Sequence, residues 1–211
     1  MKTSSRRNLL VAVTMTFVMI TTAVIFISEQ SRSAVAQNTA TNKTASMPGI
    51  RFTGDGRLLR PSGYRRWTYV GTPLTPNDMN SGNAPFPEFH SVYINPPSYD
   101  QYGKTGEFPD GTVLIKELVS VGSKEATSGN GYFMGEFTGL EVLIKDKTRF
   151  KDEPGNWAFF SFGHEYPLKD AATIQPTANC NDCHGGAADD DYVFTQYYPV
   201  LREAKGKAAA E

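Results

Sequence analysis

Two cysteines are the only ones among 211 residues, and both fall in Cys180-Asn181-Asp182-Cys183-His184. On a helical turn, positions i, i+3 and i+4 share one face, so two thiols and an imidazole are presented together. Paired sulfurs at this spacing reach the two vinyl groups of one porphyrin, and the adjoining histidine then sits beneath the iron as its proximal ligand. The chemistry expected is a single covalently bound haem c, with Cys180, Cys183 and His184 as cofactor-binding residues and His184 as the metal ligand. Three other readings fit less well. A dithiol redox pair belongs in a βαβ setting, whereas this motif follows the Pro/Thr-rich run from Thr173 to Asn179. A structural zinc site needs about four ligands, and no second Cys-x-x-Cys or His-x-x-x-His completes one. A disulfide between residues this close would close too small a loop to stabilise much.

The elements that must carry this motif are short. Thirteen prolines and nineteen glycines divide the chain, and no segment after Gln37 sustains a long apolar pattern of period 3.6. Strand signals are stronger: Arg65 to Gly71, Glu88 to Ile94, Thr112 to Val121, Tyr132 to Phe137, Leu140 to Asp146 and Trp157 to Gly163 are rich in β-branched and aromatic residues. Asn95-Pro96-Pro97 opens a short helix to about Tyr102, and Phe108-Pro109-Asp110-Gly111 is a turn. A second helix is expected to carry the cysteine motif, and a third to run from about Asp190 until Pro199 interrupts it. Asp189-Asp190-Asp191 reads as a solvated helix start rather than a metal site. The fold class expected is mainly β or α+β: a single antiparallel sheet domain with a few short helices and the haem motif near the C-terminus.

Compartment agrees with that chemistry. Lys2, Arg6 and Arg7 precede an uncharged apolar stretch from Leu9 to Ile27, followed by Ala34-Val35-Ala36, a small-x-small cleavage pattern. Residues 1–36 are therefore expected to be a signal peptide, or an uncleaved membrane anchor, since a stretch of 19 residues just suffices to cross a bilayer. Residues 37–48 read as a flexible tether, 49–203 as the haem domain and 204–211 as a frayed tail. Removal of residues 1–36 leaves 17 basic and 21 acidic residues, and that balance excludes a nucleic-acid role. The folded part is expected in the periplasm, with membrane contact only if the leader is retained.

Only 27 residues follow His184, and none is methionine. Met47, Met79 and Met134 all lie upstream. Ordinary electron-transfer cytochromes c place the attachment motif early and a methionine ligand late, and cytochromes c′ are four-helix bundles; neither pattern is present. The segments Trp67-Thr68-Tyr69-Val70-Gly71-Thr72, Phe86-Pro87-Glu88-Phe89-His90-Ser91-Val92-Tyr93 and Phe108-Pro109-Asp110-Gly111-Thr112-Val113-Leu114-Ile115-Lys116-Glu117, with the late cysteine motif, resemble the cytochrome P460 family and its relative cytochrome c′-β. The resemblance implies a mostly antiparallel β-fold, commonly a homodimer, with one haem per chain. In P460 proper it further implies a lysine bonded to a porphyrin meso carbon, and oxidation of hydroxylamine to nitric oxide or nitrous oxide. In c′-β that bond is absent, and an apolar, phenylalanine-capped side binds diatomic gases such as nitric oxide.

The family's cross-linking lysine matches Lys116, in the strand after Pro109-Asp110-Gly111 and 64 positions before Cys180. On an alternating strand Lys116 shares a face with Leu114 and Leu118, and burial there would favour its neutral amine. The plain alternative is a lysine whose stem covers apolar surface while its charge reaches water. His90 and His164 are candidate distal ligands, although a sixth protein ligand would leave no place for substrate. Phe86, Phe89, Phe108, Phe133, Phe159 and Phe162 are stock for a haem pocket or for sheet core. Gln175 and Glu117 are the only candidates for a distal polar group. Three functions remain open at this stage: a hydroxylamine oxidoreductase passing electrons to a redox partner protein, a gas-binding cytochrome, and a simple electron carrier.

Overall fold

A computed structural model describes residues 47–208. The leader expected over 1–36, and all but the last two residues of the tether over 37–48, lie outside them. Five strands form one antiparallel sheet: β2 (Thr68–Gly71), β3 (Phe89–Ile94), β4 (Val113–Val121), β7 (Met134–Lys145) and β8 (Trp157–Ser161) lie side by side in that order. A small hairpin of β5 (Glu125–Ala126) and β6 (Gly129–Asn130) interrupts the return from β4 to β7, and β1 (Leu58–Leu59) pairs with β9 (Ala171–Ala172) beside the main sheet. Three short helices complete the domain: α1 (Pro96–Thr105), α2 (Thr177–Ala187) and α3 (Pro199–Ala208). Among the described residues no helix is long and apolar enough to cross a membrane.

Alternation along β4 separates two cores. Val113, Ile115, Val142, Ile144, Ala158 and Phe160 point to one side, where Met47, Ile50, Phe52, Tyr64 and Leu168 cover them. Val92, Ile94, Leu114, Leu143, Trp157 and Phe159 point to the other, against Tyr102 of α1, Leu201 and Ala204 of α3, and Cys180 of α2. The antiparallel fold class and the helix-borne cysteine motif are thus as expected.

Four local expectations need correction. Residues 64–66 form a 3₁₀ turn after Gly63 (φ 75°), so the first long strand begins only at Thr68. The two strands expected over Tyr132–Phe137 and Leu140–Asp146 are one strand, β7, with a register shift opposite Leu118 and Val119 that absorbs the irregular middle. No helix starts at Asp190; Pro199 opens α3, because proline's missing N–H costs nothing at a first helical position. Residues from Ala204 onward therefore do not fray at once: Ala204 is 3 % exposed and packs within the core, and only 209–211 lie outside the described residues.

Candidate haem site

Helix α2 holds Cys180, Cys183 and His184. Its seat on the sheet is fixed by Asn181, between the two cysteines, whose buried Nδ2 donates to the Trp157 carbonyl at 2.9 Å. Thr177 at the helix start donates to Glu153 Oε2 at 2.9 Å. Cys180 is half-buried against the helix-side core and Cys183 is exposed, so the two sulfurs span the boundary between core and solvent. Burial raises the Cys180 thiol above its ordinary pKa.

His184 is oriented from three sides. Its Nδ1 lies 2.7 Å from the Tyr192 carbonyl, and the rings of Phe159 and Phe194 stand at 4.6 Å on either flank. A carbonyl can only accept, so Nδ1 carries the proton and Nε2 is left as a lone-pair donor, the tautomer that suits a metal-bound imidazole. Burial lowers the pKa of His184, which favours that neutral form.

The Tyr192 carbonyl is held by the acidic run Asp189-Asp190-Asp191, which starts no helix. Asp191 accepts from Lys145 Nζ at 2.5 Å and Trp157 Nε1 at 3.1 Å, and Asp190 accepts from Tyr102 at 2.8 Å and Lys205 at 2.7 Å. These carboxylates anchor a turn in which Asp191 and Tyr192 both take left-handed backbone, φ 42° and 64°. Two glycines make room for the Tyr192 ring: a Cβ at Gly155 would lie 2.6 Å from it, and one at Gly185, directly after His184, 2.9 Å.

Lys116 lies on the same side of the sheet. It pairs with Val92 on β3 and Glu141 on β7, both of which share its face. Its Nζ is 2.5 Å from Glu141 Oε2 and 5.0 Å from the Phe86 ring centroid, and the side chain is one-fifth exposed. The surroundings are therefore more polar than expected: a carboxylate, rather than Leu114 and Leu118 alone, meets the amine. The other oxygen of Glu141 takes His164 Nε2 at 3.1 Å. Burial works to raise the pKa of Glu141, but the His164 hydrogen bond and the Lys116 charge prevail and hold it down at about 2. The same contact raises the pKa of His164 against the opposing effect of burial.

Of the remaining candidates, Glu117 is on the wrong face. It is 3 % exposed, on the side away from Lys116, where it accepts from Tyr64 at 2.6 Å and pairs with Arg65. Gln175 bridges to β8 by its backbone, N–H to the Phe159 carbonyl at 2.7 Å. Met47 packs in the far core, and Met79 and Met134 are 75 % and 52 % exposed. Among the aromatics, Phe86 and Phe159 flank the site, while Phe108 stacks on Tyr102 and Phe162 belongs to the far core.

Sequence reading did not find Glu141, Asn181, Asp191 or the Tyr192 carbonyl. One signal was present for Glu141 and His164. Gly139 sits inside β7, and glycine within a strand marks close approach by another backbone. A Cβ there would meet the Gly163 carbonyl at 2.7 Å, so only glycine lets the loop bearing His164 come down onto Glu141.

The residues present fit a haem. A neutral imidazole with a free Nε2, two thiols on its own helical face and a half-buried setting are what covalent attachment and axial ligation require. Among the described residues no three His, Cys, Asp or Glu side chains are grouped to hold a metal ion. Comparison with known proteins points the same way: the family model described as Cytochrome P460 matches residues 61–195. No curated protein matches the chain.

Proposed function

Because the chain belongs to the cytochrome P460 family, which implies a haem cofactor, we propose that it is an exported mono-haem c-type cytochrome that oxidises hydroxylamine. The observation that carries this reading is the placement of Lys116 on the sheet face that α2 covers, the face to which Cys180 and His184 also turn. Bound there, haem would supply the iron centre that draws electrons from the hydroxylamine nitrogen. Cys180 and Cys183 would tether the macrocycle by thioether bonds, and His184 would donate Nε2 to the iron while the Tyr192 carbonyl keeps its ring from turning.

Lys116 is the residue proposed to bond to the porphyrin edge: once deprotonated, its amine would replace a meso hydrogen of an oxidised porphyrin, which would take up the two electrons while the protons leave to solvent. Glu141 holds its Nζ in place, and the cross-strand register brings both side chains to the same spot. Phe159 packs buried beside the His184 ring, and the contact between half-buried Glu141 and the 43 % exposed His164 ring gives departing protons a hydrogen-bonded route toward solvent. The electrons pass to a separate redox protein. Nitric oxide is an expected product or ligand. A periplasmic location follows from the leader at residues 1–36, and a homodimer from analogy with the family.

The test is hydroxylamine turnover by purified holoprotein with an artificial electron acceptor, set beside a tryptic map. Turnover together with a Lys116 peptide joined to porphyrin supports the reading, and Lys116→Arg should then abolish turnover at unchanged haem content. An ordinary high-spin spectrum that responds to nitric oxide, with no such peptide and no turnover, would instead make the protein a gas-binding cytochrome. Sharp low-spin bands indifferent to small ligands would make it an electron carrier.

A further inference from the structure

His90 is the imidazole for which the arrangement above has no use. It sits on β3 opposite Leu118, so it shares the sheet face of Val92 and Lys116. Its ring is 6.1 Å from Phe86, over which the Lys116 amine also lies. The ring hydrogen-bonds the Phe86 carbonyl, and its Nε2 is buried with no partner among the described residues. The bond to a carbonyl must therefore come from Nδ1–H, which leaves Nε2 as a bare acceptor. Burial, reinforced by the charge of Lys116, lowers the pKa of His90 to about 4, so the ring stays neutral at physiological pH.

The neighbouring polar groups already satisfy one another. Lys116 and His164 share the two oxygens of Glu141. Glu88 Oε2 and Thr138 Oγ1 also lack partners, but they line a cleft of about 380 Å³ with Asp78, Lys124 and Tyr132 that His90 does not border. A buried acceptor without a donor is costly, and a ligand that brings a donor removes that cost. Hydroxylamine carries N–H and O–H donors; nitric oxide and carbon monoxide carry none.

We infer that Nε2 of His90 is a substrate-binding acceptor that selects small ligands bearing N–H or O–H hydrogens, such as hydroxylamine, over diatomic gases. This rests on the functional reading given above. It also bears on the choice between hydroxylamine oxidation and gas binding, since an unpaired acceptor on the face of Lys116 rewards a donor ligand and gives a gas no such advantage.

The experiment compares two probes on holoprotein: hydroxylamine binding to the ferric form, by rapid mixing without an electron acceptor, and carbon monoxide binding to the ferrous form. His90→Leu should weaken hydroxylamine about tenfold, the loss expected for one buried hydrogen bond, while carbon monoxide stays within about twofold. His90→Gln, whose amide oxygen can accept, should recover hydroxylamine binding to within about threefold of the parent. Should the leucine variant lose its haem, His90→Met carries the same comparison. Unchanged hydroxylamine affinity, or equal weakening of both probes, would overturn the role of His90. A parent protein that binds carbon monoxide but never hydroxylamine would overturn the functional reading itself.

Discussion

Replacing Asp191 by alanine tests whether the acidic turn, rather than the helix alone, sets the proximal side of the site. The substitution strips Lys145, 13 % exposed, of the carboxylate 2.5 Å away, and leaves the buried Trp157 indole N–H without its acceptor at 3.1 Å. Stranding a largely buried cation costs about 2–3 kcal/mol once its remaining bond to the Phe108 carbonyl is allowed for, and the indole adds about 1 kcal/mol. The total, roughly 3–4 kcal/mol, corresponds to a fall of roughly 10 °C in Tm for a domain of this size. Left-handed backbone at Asp191 and Tyr192 is held only by its surroundings, so the freed turn relaxes and the Tyr192 carbonyl leaves His184 Nδ1. Urea and thermal unfolding of the holoprotein give the first effect; the iron–imidazole stretch in resonance Raman spectra, moving to lower frequency, gives the second. Asp191→Asn, which keeps an acceptor for the indole, should lose about half as much. A loss below about 1 kcal/mol, or an unmoved iron–imidazole stretch, would refute the reasoning.

His90 also makes stability depend on pH. Its folded pKa of about 4 lies below the ordinary 6.5, so as pH falls the unfolded chain takes up this proton first. The contribution is fully present above about pH 6.5 and is lost progressively down to about 4, by at most about 3 kcal/mol. In His90→Gln that limb should flatten when urea unfolding at pH 7 and 4.5 is compared; identical slopes in parent and variant would count against a buried neutral imidazole. Gly185→Ala places a Cβ 2.9 Å from the Tyr192 ring and should cost about 1–3 kcal/mol by overpacking, read from thermal melts, whereas Gly186→Ala, which meets nothing within 4 Å, should be close to neutral. Gly139→Ala should push the Gly163 carbonyl away and part His164 from Glu141, seen as a fall in the His164 pKa by NMR titration; an unchanged titration would mean that the loop does not depend on that approach.

What the sequence made legible follows from how local each signal is. Cys180, Cys183 and His184 could be placed on one helical face because their spacing alone determines it, and the start of α1 could be placed because Pro96 acts within a single turn, whereas its end at Thr105 lies three residues beyond the Tyr102 expected. The side chain of Lys116 could be assigned a face by alternation, but not a partner, since Glu141 reaches it through β4–β7 register that only the folded sheet sets. The same limit hid Asp191. Three consecutive aspartates look like a solvated helix start until Lys145, Trp157, Tyr102 and Lys205 converge on two of them from distant parts of the chain. Glu117 illustrates the converse: it follows Lys116 in sequence, and for that reason alone it points to the other face of the sheet.

The central claim is that Cys180, Cys183 and His184 hold one covalent haem. Its most direct test is mass spectrometry of the peptide spanning these residues, from protein matured in a host that attaches c-type haem, after treatment with a thiol alkylating reagent. The account predicts one haem on that peptide, through both sulfurs, with no alkylation. A colourless protein whose two cysteines are both alkylated would contradict it.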